Sequence, residues 1–540
     1  MVLEAAYGAV RNGVSGVINI VQSQLEGGVG WAGSGGNGSG FTIRYLFYLA
    51  LTVCTFLLFI GFLQWRITRY IRKKTELQKR PSRVFSKEEK QRVIVIGSGV
   101  LGSSLATVLA QDGRQVTLIE RDMKEPDRII GELLQPGGCD VLRKLGLGDC
   151  LLECEGAQAT QGYVIHDWRT GTSVHIPFPK DAGASKEGIA FRHGKFIMAL
   201  RSAAARESNV TVVEATAQTL IEDNGVVIGV SYKRKQLQTS EELYAPLVVV
   251  ADGGFSKFRK QLHDDQVHLS SHFVGCIMKD CPQIKDRHAE LVLSDPNPIL
   301  VYKISEEETR ILVDIRSSSL PRDIKDYLLE NTLPYLPEHL AGPFEDGVLN
   351  GRVRSMPCRF LPPSTLRKNG VLMLGDAFNM RHPLTGGGMS VALNDIYLWR
   401  GLLQQIPDLS DYQQMDAAHA LFQNRRKKTH SFVVNILAQA LYELFSASDE
   451  NLSRLRDACF KYFKLGGRCV DGPVGLLSVL SPDPFTLVGH FFAVALYSVW
   501  LIMKSTGYRV HVGLYQAAGT FVKACQVIFP LIWSEIRTLA

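Results

Sequence analysis

RVIVIGSGVLGSSLATVLAQDGRQVTLIERD, residues 92 to 122, is the stretch whose reading decides the fold. Residues 92 to 96 read as a buried strand, a glycine turn follows, about 100 to 111 reads as a helix, and 115 to 119 as a second strand. This is a βαβ unit. Gly97 and Gly99 permit a tight turn and close approach of main chain to a pyrophosphate, while Gly102 lets the helix pack on the strand. The helix N-terminus, at Val100 and Leu101, offers N–H groups and the positive end of its dipole to phosphates. Glu120 closes the second strand 23 residues after Gly97, where a carboxylate accepts from both hydroxyls of a ribose and repels a 2′-phosphate. The pattern predicts a dinucleotide other than NADP and leaves FAD and NAD both open.

Two distant segments narrow the choice. LVVVADGGFSKFRKQL (247 to 262) is a buried strand broken by Asp252-Gly253-Gly254 and continued by a polar helix start carrying Ser256, Lys257 and Arg259. VLMLGDAFNM (371 to 380) is another buried strand, ending in Gly375-Asp376. A strand-end Asp beside glycines suits a ribityl hydroxyl or a phosphate-bound water, although each alone is more often simply a turn. In this order the three segments resemble the class A flavoprotein monooxygenase family, which combines a βαβ dinucleotide fold with a DG and a GD motif. The resemblance makes the dinucleotide FAD, with Asp376 near its ribityl chain. RHPLTGGGMSVALNDIYLWR (381 to 400) follows directly. Pro383 is expected to stop the preceding segment, and Gly386, Gly387 and Gly388 to let main chain lie against the isoalloxazine edge, where any β-carbon would collide. From Met389 a helix would aim its N-terminal dipole at the flavin N1/C2 region, where reduction places negative charge.

GELLQPGG (131 to 138) has no general helix or strand logic. With GYVIHD (162 to 167), HGKFIMALR (193 to 201), MRHPLTGGGM (380 to 389), HSFVVNILAQALYELFSA (430 to 447) and GPVGLLSVLSP (472 to 482), it closely resembles the squalene epoxidase family, from about residue 92 onward. That resemblance implies flavin contacts at Val100, Leu101, Glu120, Arg121, Arg128, Arg201, Asp376 and Met389. It implies a polar pair, Gln135 and Tyr163, at the substrate end of the flavin, and a pocket lined by Tyr302, Phe445, Phe460, Phe463 and Leu476. The activity implied is FAD-dependent conversion of squalene to (S)-2,3-epoxysqualene with O2, in sterol biosynthesis. Inserting oxygen into an unactivated alkene needs no acid or base on the substrate, so the cofactor carries the chemistry and the protein excludes water. The sequence carries no second glycine fingerprint for NADPH, in keeping with a family whose flavin is reduced by NADPH–cytochrome P450 reductase. A related monooxygenase or reductase acting on another prenyl lipid stays open, as does a flavin-binding scaffold without turnover.

Charge and hydropathy locate the chain. Residues 45 to 65 (YLFYLALTVCTFLLFIGFLQW) are uncharged and long enough to span roughly 30 Å of hydrocarbon. Eleven Lys/Arg against three Glu follow in 66 to 92, whereas 1 to 44 carry two of each sign, which predicts that everything after residue 66 faces the cytosol; the family resemblance implies the endoplasmic reticulum membrane. The net charge of +7 is thus confined to one juxtamembrane block, which excludes a nucleic-acid surface. Ten cysteines show no zinc spacing, and no metal is expected; Cys150 and Cys154 read as structural thiols. An apolar run from Phe485 to Met503 reads as a spanning or interfacial helix. A second, between Val512 and Trp533, is weakened by Lys523 and Pro530. Insertion into the cytosolic leaflet is preferred over crossing, so that a water-insoluble substrate enters from lipid.

The fold class expected is α/β with α+β elements, a Rossmann-like FAD domain of the p-hydroxybenzoate hydroxylase type with a mixed-sheet substrate domain. The order is a flexible segment (1–44), a transmembrane helix (45–65), a basic linker (66–91), FAD-domain parts at 92–160, 191–262 and 366–410, substrate-domain parts at 161–190 and 263–365, and a helical, membrane-associated region at 411–540.

Overall fold

The computed structural model describes residues 79 to 536 apart from Ala182, 236–238, Pro296, Thr365, Ser448 and 507–509. The chain divides into Met1–Gln78 and Lys79–Ala540. The flexible segment, the transmembrane helix and the first part of the basic linker therefore lie outside the described residues.

Within Lys79–Ala540 the first sheet has seven strands, in the order Glu241–Tyr244, Val226–Arg234, Val210–Asp223, Gln115–Glu120, Arg92–Ile96, Leu247–Val250 and Val371–Met373. The last five run parallel, with Val95 opposite Leu118 and Val249, and Val249 opposite Leu372. The inner strands Arg92–Ile96 and Leu247–Val250 are covered on both faces, which is why they read as unbroken Val/Ile/Leu runs. Val93 and Val95 enter one core cluster, Ile94 and Ile96 another on the opposite face. The helix Val100–Gln111 fills the first cluster with Leu101, Leu105 and Leu109. Because three central strands are neighbours and parallel, the glycine turn and the DG and GD segments all emerge at the same edge of the sheet.

The second sheet, also of seven strands, runs Arg354–Phe360, His268–Lys279, Glu308–Ile315, Ile299–Lys303, His288–Leu293, Gly162–Asp167 and Thr172–Pro177. Its pairs are antiparallel except Gly162–Asp167 with His288–Leu293, so it is mixed. One face packs on the helices Ile324–Asn331 and Glu338–Leu349. The other joins Leu291, Leu312 and Tyr302 to Phe445 and Phe460 of the later helices. A short third sheet places Leu133–Leu134 of the GELLQPGG stretch against Gly188–Ala190.

The basic linker behaves differently from expectation where it is described. Its end is docked: Phe85 is buried beside Val226, Ile228 and Tyr412, and the amides of Ser82 and Arg83 donate to Asp223 Oδ2 at 2.6 and 2.9 Å. An apolar anchor and a shared carboxylate thus fix residues 79 to 91 to the sheet edge.

The second C-terminal apolar run is helical, as the reading of a helical C-terminal region expects. It forms one helix, Val510–Ile536, through Pro530, antiparallel partner to Pro484–Thr506, and both are long and apolar enough to cross a membrane. Lys523 does not interrupt it because Asp449 neutralises the ammonium at 2.7 Å. Gly513, Ala517, Thr520, Ala524 and Ile528 form a buried stripe, while Leu514, Tyr515, Val522, Phe529 and Trp533 stay exposed. An outward apolar face on a helix that packs along its other side fits insertion beside the protein body.

Candidate functional site

The glycine turn is dictated by backbone contact. Gly97 has φ +99°, and a Cβ there would lie 2.5 Å from the Ala251 carbonyl oxygen; one on Gly102 would lie 1.8 Å from the Gly97 carbonyl oxygen. A Cβ on Gly99 meets nothing within 4 Å, so that glycine leaves open space over the turn. Glu120 Oε2 accepts from the Ser98 amide at 2.8 Å and from Ser98 Oγ at 3.3 Å. Arg201, buried, donates to the carbonyls of Ser98 (3.1 Å) and Lys124 (2.9 Å). Both residues therefore shape the turn itself. Arg121 and Arg128 are exposed on the segment that follows the second strand.

Arg259, read from sequence as part of the DG motif, proves to be a staple. Its guanidinium donates to the carbonyls of Ala377 and Asp376 (both 3.1 Å) and to Gly253 and Gly254 (3.3 and 3.2 Å), which locks the DG loop to the GD loop. Gly375 closes the ring of contacts, since a Cβ there would lie 3.3 Å from Leu101. Asp376 is exposed, while Asp252 Oδ1 is buried with no hydrogen-bond partner among the described residues. Burial raises the Asp252 pKa. A buried carboxylate oxygen without a donor is an invitation to a ligand hydroxyl.

The third patch is the glycine run. Pro383 opens a 3-10 turn, Pro383–Thr385, whose carbonyl accepts the Gly386 amide at 2.9 Å, so it begins a structured turn and does not merely end the one before. His382, fully buried, holds that turn: Nδ1 accepts from the Leu384 amide at 3.3 Å and Nε2 lies 2.9 Å from Ser271 Oγ. The three glycines have different reasons. Gly386 needs φ +62°; a Cβ on Gly387 would strike Val434 at 2.6 Å; one on Gly388 would be in ordinary contact with Arg381 Nη1, at 3.8 Å. At Gly387 the chain's own Val434 forbids a side chain, whatever lies against the main chain. Met389 lies in the first turn of the helix Gly388–Leu403, near Gly131.

Gln135 bridges this loop to the second sheet. Its Nε2 donates to Tyr163 Oη at 2.6 Å and to the Thr385 carbonyl at 2.9 Å. Burial pushes the Tyr163 pKa up to about 12, so the phenol keeps its proton, and that proton is not used by Gln135. Tyr163 stacks edge-on against Phe178 at 5.5 Å. Beside the pair, Tyr302, Phe445 and Phe460 share one apolar cluster with Leu133 and Leu384, and Phe463 packs against it. Leu476 belongs elsewhere: it sits with Val433, Ile436 and Leu487, and with Phe463 lines an apolar groove between the C-terminal helices. That groove, bordered also by Leu441, Phe491 and Val527, encloses about 750 Å³ including its open mouth.

Sequence reading passed over Glu132. It is buried and takes a two-pronged ion pair from Arg310 (2.8 and 3.0 Å), with Tyr302 Oη at 3.3 Å. Its position inside GELLQPGG was visible, but its partner stands 178 residues away. Asp314, Cys358 and His382 bring potential ligand atoms within 4.8 Å of one another. His382 is engaged at both ring nitrogens, by Ser271 and the Leu384 amide, and burial raises the Cys358 thiol, so the trio is tied into the core packing. Burial likewise holds Cys150 and Cys154 at about 11.

A parallel sheet with three glycine-containing loops at one edge, joined to a mixed-sheet domain over an apolar cluster, is the architecture of FAD-dependent monooxygenases and halogenases. The flavin-dependent brominase Bmp2 superposes with TM-score 0.61 at 17% identity, over 75% of this chain and 98% of that one. Klebsiella pneumoniae HpxO complexed with FAD and uric acid gives 0.56 at 16%, over 73% and 98%. At the level of sequence, the squalene epoxidase family model matches residues 244–515. Squalene monooxygenase of Mus musculus is 56% identical over 83% of this chain and 78% of its own length. Squalene epoxidase erg1 of Schizosaccharomyces pombe is 40% identical over 83% and 98%. The chain belongs to the squalene epoxidase family.

Proposed function

We propose that this chain is an FAD-dependent monooxygenase that epoxidises squalene with O2 to (S)-2,3-epoxysqualene. The observation that carries the reading is the Gln135–Tyr163 bridge between the glycine loop and an apolar cluster, which sets a polar edge of the cradle directly against a dry pocket. The cradle suits the flavin: Gly99 leaves open space over the first turn, and the buried oxygens Asp252 Oδ1, Gln135 Oε1 and Thr385 Oγ1 lack partners among the described residues. Bound FAD supplies the oxygen-transfer chemistry.

The protein's own part follows from its side chains. Glu120 and the turn amides at Val100 and Leu101 take the adenosine and pyrophosphate, with Arg121, Arg128 and Arg201 around them. Asp252 and Asp376 accept from the ribityl chain, and Gly386, Gly387, Gly388 and Met389 bear on the ring. Tyr163 keeps a proton that it donates toward the ring's substrate side while Gln135 fixes its oxygen. Tyr302, Phe445, Phe460 and Phe463 hold the alkene by shape and keep water out, since a wet pocket diverts reducing power to hydrogen peroxide. Leu476 lies on the groove by which a long polyprenyl chain reaches this pocket from lipid. Tyr163→Phe is expected to cost about 1 kcal/mol of stability but to raise the share of O2 released as peroxide, read by coupling product to oxygen consumed.

In this reading residues 92–160, 191–262 and 366–410 form the FAD domain, and 161–190 with 263–365 the substrate domain. Electrons come from NADPH–cytochrome P450 reductase, in keeping with a sequence that carries a single glycine fingerprint. The enzyme sits on the endoplasmic reticulum membrane with this region in the cytosol, as the charge asymmetry around residues 45–65 indicates. A chain beginning at Lys79 is expected to float with liposomes, and Trp500→Glu with Trp533→Glu to release it; sedimentation of the unaltered shortened chain away from lipid contradicts the role given to the last two helices. The catalytic reading is tested with purified protein, reductase, NADPH, O2 and squalene, with mass analysis for a product one oxygen heavier. A quinone-type prenyl lipid turned over in place of squalene overturns it.

A further inference from the structure

The last turn of the helix Val510–Ile536 sends one side chain inward, while Trp533 and Ile536 stay exposed. Glu535, in its last turn, is 3% exposed, and its Oε1 accepts a 2.9 Å hydrogen bond from Asn435 Nδ2. Asn435 Oδ1 accepts from Arg381 Nε at 2.8 Å, and Arg381 Nη2 donates to Asn379 Oδ1 at 2.7 Å. A second bond secures the same helix end: Lys427 Nζ donates to the Glu535 carbonyl at 2.5 Å, a cation at the negative pole of the helix.

Arg381 is where this chain meets the cradle. It precedes the glycine run by five residues, and its Nη1 lies 3.8 Å from where a Cβ on Gly388 would stand, so the guanidinium underlies that glycine. A buried guanidinium is costly unless its donors are satisfied. Among the described residues Arg381 touches the amides of Asn379 and Asn435 and no carboxylate directly; through Asn435 its chain of bonds runs to Glu535. Asp376 and Asp395 supply negative charge near the cation, and the carboxylate of the last helix reaches it through Asn435, so Glu535 bears on how the guanidinium is aimed.

We infer that Glu535 is a positioning residue for the cofactor loop: seating the end of the last helix against Asn435 aims Arg381 beneath Gly388, so that flavin affinity depends on docking of the lipid-facing helix. The inference rests on the reading of Gly386–Gly388 as a flavin cradle. Its consequence is that the membrane-associated region is part of the cofactor site and not only an anchor.

The test uses the full chain in lipid nanodiscs. Glu535→Ala is expected to accelerate hydrogen exchange of the 381–390 amides in the flavin-free protein about tenfold, with the strand Arg92–Ile96 unchanged, and to raise the FAD dissociation constant about tenfold by fluorescence titration. Glu535→Gln keeps an acceptor oxygen for Asn435 and is expected to restore both to within about threefold of the unaltered chain. Should Glu535→Ala not fold, Asn435→Ser cuts the same chain at its middle and carries the same two readouts. Faster exchange confined to Val510–Ile536, with loop exchange and FAD affinity unaltered, overturns the inference. If the unaltered chain takes up no FAD, the cradle itself is misread; if it does and Glu535→Ala takes it up equally well, only this inference fails.

Discussion

Gly102→Ala is expected to abolish FAD uptake, with affinity at least about 100-fold weaker, which corresponds to about 2.7 kcal/mol. The added methyl would fall 1.8 Å from the Gly97 carbonyl oxygen, which is main chain and has nowhere to go because Gly97 is itself pressed on Ala251. Helix Val100–Gln111 must lift from strand Arg92–Ile96, and the amides at its start leave the pyrophosphate position. Gly99→Ala separates ligand from packing. A Cβ there meets no protein atom within 4 Å, so the flavin-free chain is expected to melt at its usual temperature while FAD affinity still falls about tenfold or more. Titration of both variants with FAD, alongside thermal melts, checks the pair. Equal FAD affinity in Gly99→Ala and the unaltered chain would show that nothing lies over this turn.

Arg310→Met is expected to destabilise the fold by about 3–5 kcal/mol, because it strands the Glu132 carboxylate in the core. Glu132 and Arg310 are both almost wholly buried, and their two-pronged contact ties the GELLQPGG segment to the strand Glu308–Ile315. The same contact sets the position of Gln135, three residues along, against Tyr163. Turnover is therefore expected to fall further than stability alone explains. Replacing both partners, Glu132→Leu with Arg310→Met, removes the stranded charge and is expected to recover most of the stability but not the Gln135 register. Chemical denaturation of the three variants decides the first part, and the ratio of product to O2 consumed decides the second. A loss below about 1 kcal/mol in the single variant would mean that water reaches Glu132 and that the pocket is not dry.

Legibility in the sequence followed the range of the interactions. The βαβ unit was readable because its information is local: apolar runs of strand length, glycines at a turn, and an acid at the next strand end. That the DG and GD segments stand beside it followed from their kind, since unbroken runs such as LVVV and VLML belong to parallel strands covered on both faces. What stayed hidden depends on pairings across the chain. Arg259 gave no sign that it staples two loops, because both sets of carbonyls lie on main chain with no residue type to betray them. Gly387 looked like its neighbours, yet Val434, nearly fifty residues on, is what forbids it a side chain. Lys523 and Pro530 weaken the second apolar run as a membrane span, and the partner that neutralises Lys523, Asp449, lies 74 residues away. Leu476 was grouped with Phe460 by resemblance, and the helices divide them between cluster and groove.

The central claim is that three backbone patches gather one flavin beside a dry apolar pocket and deliver oxygen to an alkene there. Its most direct test is a single reductive turnover of the FAD-loaded protein with squalene under 18O2, followed by mass analysis of the lipid. One 18O atom in an epoxide, with little labelled peroxide, is the expected result. Unlabelled, unchanged squalene with all reducing equivalents recovered as peroxide would contradict it.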